Sequence, residues 1–360
     1  MKKNFILTTI VLLWVVVVSE ATIIQVNNNP GTSADYSSLQ EAIDNANTGD
    51  TIYVAGSPNA YDGTTLIRLN KGLVIIGPGY FLGENPNTQA LNQTAKIYQM
   101  EIGESADNAI IMGLDFDVTG QITTKISNRR RDGTLGTAGP SGLTLFRNKL
   151  DNIRVSHGTN IIIEQNYILS GNSVHSIVIV DPASNILIQN NILITTWSTS
   201  HSINGSGDTF SNTIIRNNVM NMGIEDLNGV EIINNIFLDQ GFFDDCDNNQ
   251  IKNNVFTAPE SVVIPTSSTG NTLLDNVFSV TQSEVFLIDA PVIDSEFQLG
   301  DSSPASGVGF EGVDAGAYGG AAPYVISGLP PIPSIYELTT NGIGSASEGI
   351  NVRIKVRSNQ

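Results

Sequence analysis

An all-β, right-handed parallel β-helix is the fold class this sequence predicts, and three observations predict it. A short pattern recurs through the middle of the chain and ends in Asn148, Asn166, Asn191, Asn218, Asn235, Asn254 and Asn276. If the first residue of each copy is position zero, position three is aliphatic in all of them: Leu145, Ile163, Ile188, Ile215, Ile232, Ile251 and Leu273. Position eight is large and apolar throughout: Leu150, Ile168, Leu193, Met220, Phe237, Phe256 and Phe278. These runs are too short and too β-branched for helices. Each copy therefore reads as one coil of a solenoid, with like positions stacked about 4.8 Å apart.

The elements follow in order. The aliphatic positions stack inward, away from water. The asparagines at position six stack as a ladder at a tight turn, where Asn tolerates the left-handed conformation and its amide pairs with the next one. Same-sheet parallel crossovers are overwhelmingly right-handed, which sets the hand. Uneven spacing between copies places the length variation in loops and argues against a leucine-rich-repeat solenoid. Ahead of the repeats, Ser38-Leu39-Gln40-Glu41 has the spacing of a capping box, and Leu39, Ala42, Ile43 and Ala46 follow at helical period. A short helix there would cap the open edge of the stack. Beyond Pro323 the stretch Gly328-Leu329-Pro330-Pro331-Ile332-Pro333 is a stiff connector, and Ile335–Leu338 and Ile350–Val356 alternate as a small strand pair. The expected organisation is residues 1–21 as signal peptide, 22–320 as capped β-helix, and 321–360 as connector and strand pair.

Composition narrows the function. Of 360 residues, 17 are Lys or Arg and 35 are Asp or Glu, for a net charge of −18. A nucleic-acid partner is not expected, since phosphate binding needs surplus cations. The only cysteine, Cys246, rules out an intramolecular disulfide. Lys2 and Lys3, the apolar run Phe5–Val18 and Ser19-Glu20-Ala21 read as a secretory signal, so the expected location is secreted or cell-surface.

The Asn-hydrophobic-x-Ile-x-Asn-Asn-hydrophobic pattern resembles the pectin-lyase-like superfamily of secreted β-helix proteins. Asp35–Ile43 followed by Gly49-Asp50-Thr51-Ile52 resembles that family's N-terminal cap and first coil. Ser303-Pro304-Ala305 followed by Asp314–Gly319 resembles its closing segment. The resemblance spans roughly residues 35–320 and implies fold more than activity, because the superfamily holds lyases, hydrolases, epimerases and adhesins.

Register then suggests surfaces. Position two points outward yet holds Ile162, Leu187 and Ile214, an apolar stripe that residues 324–340 are expected to cover. Four residues before position zero stand Asp181, Asp208, Glu225 and Asp244, an expected carboxylate column. Stacked like charges call for a cation, and hard oxygen ligands favour calcium; the other reading is a set of solvated turns. Calcium also suits the lyases that the resemblance brings in, where metal neutralises a uronate carboxylate. Their chemistry needs a base and a cation to steady the enolate. Arg154, His175 and His201 are the candidates for proton transfer, with His175 and His201 expected as neighbours on consecutive coils. Arg129, Arg130 and Arg131, in a Gly/Pro-rich loop, are candidates for binding substrate carboxylates or sulfates. A polygalacturonase-like site is not present, because Ser156-His157-Gly158 precedes Asp244-Asp245 and Arg353-Ile354-Lys355 lies in the tail. Two readings stay open: a secreted protein that binds acidic polysaccharide and cleaves it by calcium-assisted β-elimination, and a non-catalytic surface or adhesive solenoid.

Overall fold

The computed structural model describes residues 21–85, 88–116, 121–124, 139–171, 174–180, 183–210, 212–287, 293–342, 344, 347 and 349–359. Residues 1–20 of the expected export segment, Arg129–Arg131 and Asp181 lie outside them. No helix among the described residues is long and apolar enough to cross a membrane.

The chain forms a right-handed parallel β-helix. One face is an eleven-stranded sheet running from Ile23–Val26 to Thr272–Leu274. Its register matches position three rung for rung, from Leu145 through Ile163, Ile188, Ile215, Ile232 and Ile251 to Leu273. A thirteen-stranded sheet makes the other two faces. Short strands such as Tyr167–Ser170 and Ile192–Thr195 form its first limb, and Asn152–Ser156, Ile177–Val180 and Ile203–Thr209 form its second. The long strands Val219–Asn228 and Ile236–Asp244 run through both limbs, and register shifts around Met222 mark the bend between them. Position eight stacks on the first limb and ends in an aromatic pile, with Phe256 lying 4.7 Å from Phe237 and 5.2 Å from Phe278.

The asparagine ladder is continuous. Each Oδ1 of Asn166, Asn191, Asn218, Asn235, Asn254 and Asn276 accepts both the backbone N–H and the side-chain amide of the preceding member, at 2.8–3.2 Å. The left-handed conformation, however, falls one residue earlier than expected. Position five has positive φ at Arg147, Gln165, Asn190, Asn217, Asn234, Asn253 and Asp275. Position zero has it too, at Gly142, Asn160, Asn185, Asn212, Gly229, Asn248 and Gly270. The stretch is thus bracketed by two left-handed corners, which explains its Asn and Gly content. The ladder asparagines are chosen for their amides.

The N-terminal helix is Leu39–Asn45, with Leu39, Ala42, Ile43 and Ala46 buried against the first coil. Ser38 accepts the Glu41 N–H as expected. Asp62, which the spacing could not reveal, accepts the N–H groups of Leu39 and Gln40. Lys71 donates to the carbonyls of Ile43, Asp44 and Ala46 and so satisfies the helix C-terminus.

After the last coil the chain returns along the outside as a strap. The position-five side chains hold it: Asn253 donates to the Val308 carbonyl, Asn217 to Asp314, Asn190 to Ala317 and Gly319, Gln165 to Ala322, and Arg147 to Leu329. Beneath it lies a second apolar cluster. Position-seven residues Tyr167, Ile192, Val219, Ile236 and Val255 pack there with Ala305, Ala315, Ala317 and Tyr324. Gly316 has φ 86°, and a Cβ there would stand 2.4 Å from Ile236, so only glycine lets the strap lie this close. Asp314 accepts from Ser306 and Gly307, tying the two halves of the closing motif together. Residues 324–340 do not cover the Ile162–Leu187–Ile214 stripe. They cross the N-terminal coils, where Tyr80 and Ala90 donate to the carbonyls of Ser327 and Ile335. Position seven, with its larger side chains, is the outward column that the strap buries. Ser334–Thr340 and Val352–Arg357 form the antiparallel C-terminal pair.

Asn191→Ala should cost about 3 kcal/mol in chemical denaturation, because it strips partners from buried donors above and below. Asn185→Ala, at an exposed left-handed corner, should cost about 1 kcal/mol. Equal losses at the two sites would show that the ladder carries no special weight.

Candidate functional site

The second limb of the larger sheet carries the candidate site. Alternation sends Ile153, Ile177, Ile203, Ile224 and Phe243 into the core. It turns Arg154, Val178, Asn204, Glu225 and Asp244 outward on successive rungs. Glu225 and Asp244 are therefore neighbours. Asp208 is not in this column: an irregularity after Asn204 pairs it with Leu227, and Asn204 takes the rung beside Glu225. The expected four-acid column fails there because the Asn204–Asp208 stretch carries extra residues. Arg154 lies two rungs from Asn204 and three from Glu225, or roughly 14 Å along the axis. It is not part of the histidine cluster.

Just before these strands, at the corner, His175 and His201 stack with ring centroids 5.9 Å apart and planes 18° apart. Phe242 meets His201 edge-on from the other side at 6.0 Å. Gly223 permits this, since a Cβ there would strike the Phe242 carbonyl at 1.8 Å. Glu225 Oε2 accepts from Asn204 Nδ2 at 2.8 Å and lies 3.2 Å from His201 Nδ1 and 3.9 Å from His175 Nε2. The His201 side chain is 9% exposed, and neither ring nitrogen has a hydrogen bond. The 3.2 Å approach to Glu225 is off the hydrogen-bond axis. A buried imidazole in that condition is expensive unless it has work to do.

The protonation of His175 follows from its neighbour. Its Nδ1 accepts the His201 backbone N–H at 2.9 Å. The ring proton therefore sits on Nε2, facing Glu225. Burial, the largest influence, holds the His175 pKa below its ordinary 6.5 against the opposing pull of Glu225. The Nδ1 lone pair of His175 is thus already engaged, which leaves its Nε2–H to face Glu225. For the same reason a transition metal bound through His175 Nε2 does not fit the present hydrogen bonding, although His175, His201 and Glu225 place ligand atoms within 4.8 Å of one another.

Three further carboxylates lie next to this cluster, but among the described residues His175, His201 and Glu225 are the group whose ligand atoms converge. Asp226 and Asp245 stand beside Glu225 and Asp244, both in left-handed backbone. Partial burial, and then the charges of Glu225, Asp245 and Asp244, raise the Asp226 carboxyl pKa. Among the described residues, no lysine or arginine forms an ion pair with any of the four. Hard carboxylate oxygens are the donor type that calcium takes, although no three of these carboxylates converge within 4.8 Å. Cys246 lies beneath this patch, but burial pushes its thiol up to about 12, so it is no nucleophile at neutral pH. Sequence spacing does not reveal that Asn204 meets Glu225 or that Phe242 meets His201; only the register of the coils shows it.

His175 should titrate with a midpoint below 6.5 by histidine-selective NMR, and Glu225→Gln should lower it further by removing a favourable charge. Because the folded value is depressed, the contribution of His175 to stability is complete above pH 6.5 and is lost as pH falls below it. A midpoint at or above 6.5 would contradict the buried, amide-bonded ring.

No family model matches the chain, and no curated protein matches it. Among solved structures, a PL6-family alginate lyase is 16% identical, covering 67% of this chain and 37% of its own, with a TM-score of 0.44. A protein of Geobacillus virus E2 is 10% identical, covering 71% and 61%, with a TM-score of 0.37. Pectate lyase Pel9A is 12% identical, covering 83% and 96%, with a TM-score of 0.32. The chain thus spans little more than a third of the alginate lyase and under two thirds of the viral protein. None of these likenesses says what this chain does.

Proposed function

We propose that the protein is exported, binds acidic polysaccharide across the outer face of the Arg154–Asp244 column, and cleaves it by β-elimination. The observation that carries this reading is the meeting of His175, His201 and Glu225 beside Asp226, Asp244 and Asp245, none of which, among the described residues, is paired with a lysine or arginine. Asp226, Asp244 and Asp245 are the residues that would hold calcium. Calcium held there would supply neutralisation of a uronate carboxylate and so make the adjacent C–H more acidic.

In this reading Glu225 takes the proton from the sugar carbon. Asn204 and the Nε2–H of His175 orient its carboxylate, and His201 lies 3.2 Å behind Oε2 as a positioning residue that never touches substrate, so Glu225 itself holds the proton. The same proton passes from Glu225 to the departing glycosidic oxygen, which balances the step: a C–H and a C–O bond break, a C=C bond forms, and the leaving sugar gains an O–H. Arg154, three rungs away, meets the carboxylate of another sugar along the chain, and Arg129–Arg131 add cationic charge for the same polymer.

The test is incubation with pectate, alginate and glycosaminoglycans, with calcium or with chelator, read by the ultraviolet absorbance of unsaturated uronate ends. Product should form with calcium and stop with chelator. Glu225→Gln should lower the rate at least 100-fold, within the usual range for losing a proton-transfer group, and leave glycan retention intact. Glycan retention without product from the unaltered protein would leave the non-catalytic surface reading. Neither retention nor product would overturn both.

A further inference from the structure

We propose that a second, separate site for a carboxylate-bearing sugar ring lies on the eleven-stranded face, between the sheet and the strap. A groove of about 290 Å³ opens there, near the lower end of ligand-pocket volumes and sized for a short saccharide. Its floor is Ile214 and Ile233, so it begins where the half-buried stripe at position two ends. Its far wall is the strap around Phe310 and Ala321.

Three features point to a sugar acid. Arg216 stands exposed at the rim, and its Nε donates to Gln189 at 2.8 Å, which fixes the plane of the guanidinium. Among the described residues its two terminal nitrogens have no protein partner, and it pairs with no carboxylate. In a chain of net charge −18, an oriented guanidinium left unneutralised is a fitting receptor for a carboxylate held by two parallel bonds. The neighbouring cation, Lys252, is already neutralised by Glu231 at 2.5 Å.

Phe310 supplies the second feature. This large aromatic is 53% exposed, and it is held out deliberately by the turn around it. Its N–H donates to Asn234 Oδ1 at 2.8 Å, Gly309 N–H closes onto the Val313 carbonyl, and Glu311 adopts a left-handed φ of 63°. Non-glycine backbone strain of this kind persists where surrounding bonds enforce it. The third feature is the apolar floor, which together with the ring suits the C–H face of a pyranose while Arg216 takes its carboxylate. The site faces away from Glu225, so it would anchor polymer without taking part in chemistry.

The test uses the Glu225→Gln protein, full length and ¹⁵N-labelled, titrated with trigalacturonate, with trimannuronate and with neutral maltotriose. The uronates should shift the amides of Phe310, Ala321 and Ala322, and maltotriose should not. Arg216→Gln should weaken the uronate response about tenfold, and Phe310→Ala should do likewise, both with the protein folded as judged by unchanged ladder amides. In the otherwise unaltered protein, both variants should leave turnover of short substrates unchanged. Shifts confined to the Glu225 rung would overturn this site and spare the proposed function. Equal response to maltotriose, or no response at the groove with any sugar, would overturn it whatever the activity assay shows.

Discussion

Everything in this structure hangs from a column of buried amides. A parallel coil has no hairpin to set its register, so each rung must find its place by side chains alone. In this protein every ladder asparagine satisfies a backbone donor on the rung before it as well as a neighbouring side chain. A slip of one residue would leave several buried polar groups unpaired on each coil at once, at roughly 1–3 kcal/mol apiece. Aliphatic stacking supplies most of the burial and resists a slip of one residue, which would turn each column outward, but it does not by itself penalise a slip of two. The amides make the register discrete.

That discreteness is what makes a site possible. His175 and His201 are 26 residues apart in sequence and adjacent in space because their coils are consecutive. Glu225 joins them from the next coil through the shared register of Asn204 and Glu225. The groups are carried on a rigid stack, and the corner glycine at position 223 lets Phe242 close the pile. A buried ring with two unpaired nitrogens is costly, and the fold sustains it within a frame that could have placed an apolar residue there.

Much of the frame was legible in the sequence. Positions three, six and eight repeat so strictly that the coil, the core columns and the ladder follow from spacing. The left-handed corners were misplaced by one residue, because both Asn residues of each Asn-Asn pair suit a corner and sequence does not say which one turns. The strap was half legible: Ser303-Pro304-Ala305 and Asp314–Gly319 stood out, but that the position-five amides would bind their carbonyls depends on a return path no periodicity encodes. For the site, the nearness of His175 and His201 could be counted from position zero. The place of Asp208 could not, since counting assumes equal loops and the Asn204–Asp208 stretch breaks that assumption. The tautomer of His175 was beyond reach for a simpler reason: it is set by a backbone N–H.

The most direct measurement of the central claim is hydrogen exchange of asparagine side-chain amides, resolved by NMR in the intact protein. The account predicts strong protection for Asn166, Asn191, Asn218, Asn235 and Asn254, and rapid exchange for the exposed corner residues Asn160, Asn185 and Asn212. Ladder amides that exchange as fast as the corner ones would mean that the rungs are not locked by these bonds, and the placement of the histidines and acids would lose its foundation.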